Sequence, residues 1–181
     1  ARGDDGAFSA LFVRHARPLY CTLWCLLGDD EQAAAMVGQS FVWLHSQRRT
    51  QAAQGAFCPS LYGHAMALRR AADRASGVRV SQPGEVVPIR DAASLLRVLG
   101  GLPDSYREVL VLRYVAGLDS AQISTVLGAT EAAVQQRLHQ GLQQLAPALI
   151  HAASDAPPVD SDAISAAAAH ALQSLPSVSA S

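Results

Sequence analysis

Apolar residues recur along most of this chain at the spacing of α-helices. After Asp119, for example, Ile123, Val126 and Leu127 stand at i, i+3 and i+4, so one face of that segment is apolar. Runs that alternate between apolar and polar residues, which would predict β-strands, are scarce. The pattern therefore predicts an all-α fold.

The clearest local signals surround that segment. Asp119 is a good helix N-cap, and Gln122 three positions later completes a capping-box pattern. Gly128 stands where a residue with positive φ ends a helix, and Thr130 can cap the next one. We predict that this next helix covers Glu131–Ala146. Its core-facing apolar residues would be Val134, Leu138 and Leu145.

A further helix is predicted ahead of these two. The segment Asp104–Ala116 has Pro103 at its first turn, where proline is favoured, and Gly117 after its end. Two short helices joined by a turn around a glycine are typical of a helix-turn-helix. The stretch Leu102–Leu145 is therefore predicted to be a tri-helical DNA-binding module.

The N-terminal part of the chain predicts three more helices. The first ends at Gly28, the second covers Glu31–Ser46, and the third covers Leu61–Ala75. A loop that contains Gly55 and Pro59 separates the second from the third. Together these helices form the first of two small domains.

The patterns divide the chain into four parts. We predict a helical domain at residues 1–75, a flexible linker rich in glycine and proline at 76–90, a helix-turn-helix domain at 91–150 and a tail at 151–181. A short helix at Asp91–Leu99 is expected to open the second domain. The tail begins with a loop around Pro157-Pro158 and continues as an Ala-rich segment. That segment is either a loosely attached extension or a weak helix that docks on a domain or on a partner.

Composition limits the possible functions. The chain has 181 residues and a net charge of −1, and all fourteen basic residues are arginine. Three cysteines, an odd number, are typical of a reducing cytoplasm. No apolar run approaches the roughly 18 residues of a membrane helix, and no signal-peptide pattern is seen, so a cytoplasmic protein without a membrane association is expected.

Catalytic and metal chemistry is not predicted. The six histidines are scattered, no Gly-rich phosphate loop occurs, and no nucleophile stands in a recognisable motif, so we expect neither an enzyme nor a cofactor. Cys21 and Cys25 share a helix face at i and i+4, and His15 or His45 would be needed to complete a metal site. Free cysteine usually packs as a small apolar residue, and no fourth ligand is evident, so no metal is predicted.

The stretch Leu102–Leu145 also resembles a known family. Its sequence, LPDSYREVLVLRYVAGLDSAQISTVLGATEAAVQQRLHQGLQQL, is similar to region 4 of the extracytoplasmic-function (ECF) class of bacterial sigma factors. The matching positions are Arg107, Glu108, Arg113, Tyr114, Gly117, Leu118, Leu127, Gly128, Val134, Arg137, Leu138 and His139.

Residues 8–74 are similar to region 2 of the same class. The matching features, in the family's order, are Phe8, Leu11, Leu19 and Tyr20, then Leu27-Gly28-Asp29, then the segment from Ala35 to His45, then Gly55, Phe57, Leu61 and Tyr62. Because both regions occur in the family's order, the resemblance is more specific than a helix-turn-helix alone.

The resemblance implies a transcription initiation factor that binds core RNA polymerase and directs it to promoter DNA. It implies polymerase contacts at Val37, Gln39, Phe41, Val42 and Trp43. The DNA-binding residues that it implies are Arg69, Arg70 and Arg74 in the first domain and Ala132, Ala133, Gln135, Gln136, Arg137 and Gln140 in the second.

Several positions depart from the family pattern. Gln135 stands at the usual Lys, and Gln140 and Leu142 stand at usual Arg positions. In the first domain, acidic and amide positions of the family are Ala35, Gly38 and Gln39, and a usual Trp is Ser60. Phosphate neutralisation by basic residues supplies most sequence-independent DNA affinity, so this loss bears on function.

Two alternatives therefore stand beside the leading prediction. One is a sigma-like protein with weakened DNA binding that acts as a protein–protein regulator, with an anti-sigma factor or polymerase as its partner. The other is an ordinary helix-turn-helix regulator whose first domain binds a ligand or dimerises.

Overall fold

The computed structural model describes residues 2–51, 57–76 and 92–152. Within these residues the chain forms seven helices and no strand, so the prediction of an all-α fold is confirmed. In chain order the helices are α1 (Arg2–Leu27), α2 (Asp30–Gln51), α3 (Phe57–Ser76), α4 (Ala92–Gly100), α5 (Asp104–Tyr114), α6 (Ser120–Leu127) and α7 (Glu131–Ala152).

The turn between α1 and α2 follows local chemistry. Gly28 adopts a φ of 69°, which ends α1 at little steric cost. Asp29 then caps α2, because its side chain accepts a hydrogen bond of 2.8 Å from the backbone N–H of Gln32. The same pairing of a glycine with an acidic cap recurs in the second half of the chain.

Helix α3 begins four residues earlier than the sequence pattern predicts. We expected Leu61 as its first residue, with Pro59 in the preceding loop, whereas the helix begins at Phe57 and contains Pro59. The first turn of a helix has no intrahelical partners for its N–H groups, so a proline there costs no hydrogen bond. The proline was therefore the wrong signal for a loop.

Helix α7 extends past its predicted end at Ala146 to Ala152. Pro147 lies inside it. A proline in a helix interior removes one backbone hydrogen bond and usually kinks or ends the helix, so no sequence signal predicted this continuation. Helix α4 agrees with its prediction to within one residue at each end.

The helices form two blocks that pack against each other and share one apolar core. In the first block, defined here as α1–α3, α2 packs between α1 and α3; in the second, defined as α4–α7, α7 packs on α5 and α6. Between the blocks, α3 lies against α6, and α1 lies against α4 and α5. Fully buried side chains include Leu19, Leu23, Leu61, Tyr62 and Met66 in the first block and Val109, Leu112, Ile123 and Val134 in the second. Each such aliphatic side chain contributes about 1.5–3 kcal/mol through burial.

Two predicted parts fall largely outside the described residues. Of the predicted linker at 76–90, only Ser76 is described, as the last residue of α3. Of the predicted tail at 151–181, only residues 151 and 152 are described, at the end of α7. Among the helices of the described ranges, none is both long and apolar enough to cross a bilayer.

Candidate nucleic-acid interface

The helix-turn-helix predicted from the sequence is built around two caps on α6. The Asp119 carboxylate accepts a hydrogen bond of 2.7 Å from the Gln122 backbone N–H, and the Gln122 side chain accepts one of 3.0 Å from the Asp119 backbone N–H. This reciprocal pair is the predicted capping box. At the other end Gly128 is left-handed, with φ 64° and ψ 35°. Both local predictions are confirmed.

The turn then leads directly into α7. The Thr130 hydroxyl accepts a hydrogen bond of 3.2 Å from the backbone N–H of Ala133, which caps the helix as predicted. Across the turn, Gln135 Nε2 donates a hydrogen bond of 2.6 Å to Ser120 Oγ. This bond links the first turn of α6 to the second turn of α7.

Helix α7 presents one face to the core and another to solvent. Val134, Leu138 and Leu145 are buried, as their spacing predicts. Of the residues predicted to contact DNA, Ala132, Gln135 and Gln136 are exposed, and Ala133, Arg137 and Gln140 are half-buried. The six residues therefore lie on the accessible part of α7, and most of them are uncharged.

The approach of α7 to α5 depends on Gly141. A Cβ built at this position would lie 2.9 Å from Leu110 Cδ1 and 3.3 Å from Tyr106 Cβ. Heavy atoms of carbon are most favourable at about 3.5–4.0 Å, so a methyl group does not fit without movement. Gly141 allows α7 to lie close on α5.

The arginines predicted to contact DNA from the first block are not equally accessible. Arg69 is buried, with 3% of its side chain exposed, and Arg70 is half-buried, whereas Arg74 is exposed. Arg69 and Arg70 both point into a group of charged side chains that we call the ion cluster. Its members are Arg69, Arg70, Asp73, Asp104, Arg107 and Glu108.

Glu108 is the centre of the ion cluster. Its Oε1 accepts a hydrogen bond of 2.8 Å from Arg69 Nη1, and its Oε2 accepts one of 2.9 Å from Arg70 Nη2. Arg69 Nη2 also lies 3.2 Å from a carboxylate oxygen of Asp73 and 3.4 Å from one of Asp104. Arg107 in turn donates to Asp104. In this arrangement, Arg69 is closed off from any DNA backbone.

The residues predicted to contact polymerase are split between core and surface. Val37 and Phe41 are buried in the first block, and Phe8 and Phe12 pack edge-on against the Phe41 ring. Gln39 and Val42 face solvent, and 73% of Val42 is exposed. Fewer of these residues are therefore accessible to a partner than the sequence predicted.

Trp43 lies between these two groups. Its indole stacks on the His64 imidazole with ring centroids 4.2 Å apart and planes 2° from parallel. Burial lowers the pKa of His64, which keeps the imidazole neutral against the indole at neutral pH. The stack ties α2 to α3 and leaves part of the indole exposed.

The cysteines do not gather into a metal site within the described residues, where no group of three His, Cys, Asp or Glu side chains is placed to hold an ion. Cys58 Sγ lies 3.9 Å from His15 Nε2. Burial raises the pKa of Cys25 to about 12, so its thiol is protonated at neutral pH.

Three contacts at the interface were not anticipated from the sequence. They are the Gln135–Ser120 bond, the close approach at Gly141 and the pairing of Glu108 with Arg69 and Arg70. Each joins two different helices, and Arg69 and Glu108 are 39 residues apart in the chain. Helical periodicity marks Glu108 only as a polar position, so no local signal identifies its partner.

Comparison with known proteins places these helices in a family. Residues 92–145 match the family model of sigma-70, region 4, which covers α4–α6 and most of α7. The chain is 32% identical over 111 residues to the ECF RNA polymerase sigma factor SigD of Mycobacterium tuberculosis, a match that covers 53% of this chain and 52% of SigD. It is 33% identical over 106 residues to the ECF RNA polymerase sigma factor ShbA of Streptomyces griseus, with 50% and 55% covered.

Residues 92–145 are thus a sigma-70 region 4 domain, and the chain is similar to ECF sigma factors. It spans about half the length of the curated relatives it matches. In sigma terms, the helix-turn-helix of α6 and α7 lies within region 4, and the resemblance to region 2 falls on α1–α3.

Proposed function

We propose that this protein is a transcription initiation factor of the sigma type, which binds core RNA polymerase and directs it to promoter DNA. The capped helix-turn-helix carries the proposal, because its second helix turns a polar face outward within the segment that matches sigma region 4. In such modules the N-terminal part of the second helix enters the major groove. Gln135, Gln136 and Arg137 are then the residues nearest to base edges, where Gln pairs with adenine and Arg with guanine.

The first block supplies the polymerase contact in this proposal. Its accessible part is Gln39, Val42 and the exposed edge of Trp43, all on α2. Burial of a valine against a partner is worth about 1.5 kcal/mol or more, which corresponds to roughly a tenfold change in affinity. Val42 is therefore the residue through which the contact is most simply tested.

The test replaces Val42 by Asp in the full chain and measures binding to core RNA polymerase. We expect V42D to bind about tenfold more weakly than the native protein, because a charge replaces an apolar contact. Val13→Asp is the matched control, since Val13 is equally exposed but lies on α1. A folded V42D chain with native affinity for polymerase would overturn the proposed contact.

A second candidate function is a sigma-like regulator with weakened DNA binding, whose partners are polymerase or an anti-sigma factor. The observation that favours it is charge. The described residues of the second block from Leu95 onward carry four arginines and four acids, and Arg137 is the one arginine on α7. Each phosphate contact contributes about 0.9 to the slope of affinity against salt, so a helix with one arginine gives a shallow dependence.

The two candidates are separated by DNA binding of the full chain. Replacing Gln135 by Lys and Gln140 by Arg should tighten duplex binding and steepen the salt slope by about 1.8, despite loss of the Ser120 bond. The control, Gln143→Lys with Gln144→Arg, adds the same charge farther along α7 and should have a smaller effect. Tight native binding with a steep salt slope would remove the case for the second candidate.

A further inference from the structure

The ion cluster joins the two helical blocks at their interface. Arg69 and Arg70 lie on α3 of the first block, and Glu108 and Asp104 lie on α5 of the second. Glu108 contacts both arginines with one oxygen each, at 2.8 Å and 2.9 Å. A single carboxylate of the second block therefore occupies two arginines of the first.

These are the same arginines that the resemblance to sigma region 2 implies as DNA contacts. An arginine guanidinium pairs with a carboxylate or a phosphate through the same planar set of N–H donors. Glu108 and a phosphate group consequently compete for Arg69 and Arg70. Arg74, on the last turn of α3, is exposed and stays outside this competition.

We propose that Glu108 is an internal latch that closes the second block onto α3 and withholds Arg69 and Arg70 from nucleic acid in the free protein. The inference rests on the proposed function, because it requires a protein that binds promoter DNA, and it takes both arginines as DNA contacts from the resemblance to sigma region 2. The ligand that binds the two arginines after opening is a single-stranded nucleic-acid backbone.

The energetics of buried ion pairs make such a latch reversible. The free energy lost on removing two charges from water is close to the free energy gained from their attraction. The pair therefore favours one closed geometry without adding much net stability. In the proposed open state Glu108 and both arginines contact water, so that no charge is left buried without a partner. The coupling is reciprocal: if opening strengthens nucleic-acid binding by some factor, nucleic-acid binding shifts the equilibrium toward the open state by the same factor.

The test compares Glu108→Gln with Asp73→Asn in the full chain. Both variants remove one negative charge from the surroundings of Arg69, but Asp73 lies on α3 itself, four residues after Arg69. Only E108Q therefore cuts a link between the blocks. The radius of gyration is measured by small-angle X-ray scattering, and binding of a labelled mixed-sequence single-stranded DNA is measured over a series of salt concentrations.

We expect E108Q to have a larger radius of gyration than the native chain and tighter single-strand binding. Its salt slope should steepen by about 1.4, since each freed arginine adds about 0.7 on a single strand. D73N should match the native chain in size and slope. Adding Arg69→Gln and Arg70→Gln to E108Q should abolish the gain in binding while leaving the chain expanded.

Three results would overturn the latch. A helical E108Q chain with native size and native salt slope would show that Glu108 does not hold the blocks together. An equal effect of D73N would show that only charge matters. An expanded E108Q chain with an unchanged salt slope of DNA binding would show that Arg69 and Arg70 do not bind nucleic acid. The proposed function is tested separately, by binding of the native chain to polymerase.

A second variant covers the case in which E108Q loses its helical circular-dichroism signal. Asp104→Asn weakens the same link at a position whose side chain is 57% exposed, so it is tolerated more easily. We expect D104N to change size and slope in the same direction as E108Q, by a smaller amount. A folded D104N chain identical to native would then overturn the proposal.

Discussion

The packing of α7 on α5 predicts different effects for the same substitution at two glycines. Gly38 lies in the middle of α2, and nothing stands within 4 Å of a Cβ built there. Alanine is favoured over glycine in a helix interior by about 1 kcal/mol. Gly38→Ala should therefore stabilise the protein by about that amount and raise Tm by about 2–4 °C for a chain of this size.

Gly141→Ala gains the same helix propensity but meets a filled space. Its methyl group would stand 2.9 Å from Leu110 Cδ1 and 3.2 Å from Leu110 Cγ, and Leu110 is only 2% exposed. Overpacking of this kind costs about 1–3 kcal/mol. After the propensity gain, G141A should range from unchanged stability to a loss of about 2 kcal/mol, with Tm lower by up to about 8 °C.

Thermal unfolding followed by far-UV circular dichroism measures both variants under one set of conditions. The expected result is a Tm for G38A above native and a Tm for G141A at or below native. If G141A rose in Tm as much as G38A, α7 would not lie as close to α5 as the distances indicate. The close packing of α7 on α5 at this position would then lose its support.

Three further predictions follow from local chemistry. Asp119→Ala removes a capping box and should cost about 1 kcal/mol in urea unfolding, whereas an unchanged midpoint would contradict the cap. Because burial lowers the pKa of His64, the unfolded state binds more protons below about pH 6.5, so stability should fall on acidification. His64→Phe, which keeps a ring against Trp43, should reduce that fall, and an unchanged pH dependence would refute it. Burial raises the pKa of Cys25 to about 12, so Cys25 should be alkylated more slowly than the other two cysteines in the native chain. Peptide mapping measures the three alkylation rates, and equal rates would contradict this prediction.

Much of the second block could be predicted because its signals are local. Asp119 and Gln122 are three residues apart, and Gly128 needs only its own backbone conformation. Caps and left-handed glycines depend on neighbours along the chain, so the helix boundaries around the turn were predicted correctly. The same reasoning failed at Pro59, where a proline is equally compatible with a loop and with a first helical turn.

The accessibility of the candidate contacts could not be predicted in the same way. Arg69 and Arg74 look alike in the sequence, yet one is buried against Glu108 and the other is exposed. Val42 and Phe41 are neighbours on α2, yet only Val42 faces solvent. These differences arise from packing between helices that are far apart in the chain. A resemblance to a family transfers residue types to positions, and only the fold decides which of them a partner can reach.

Runoff transcription with core RNA polymerase tests the central proposal most directly. Core polymerase is incubated with fragmented genomic DNA from the source organism, with and without the full chain, and transcript 5′ ends are mapped. We predict transcripts that start at discrete sites only when the chain is present, and fewer of them with V42D than with the V13D control. Transcript 5′ ends that are the same with and without the chain would contradict an initiation factor.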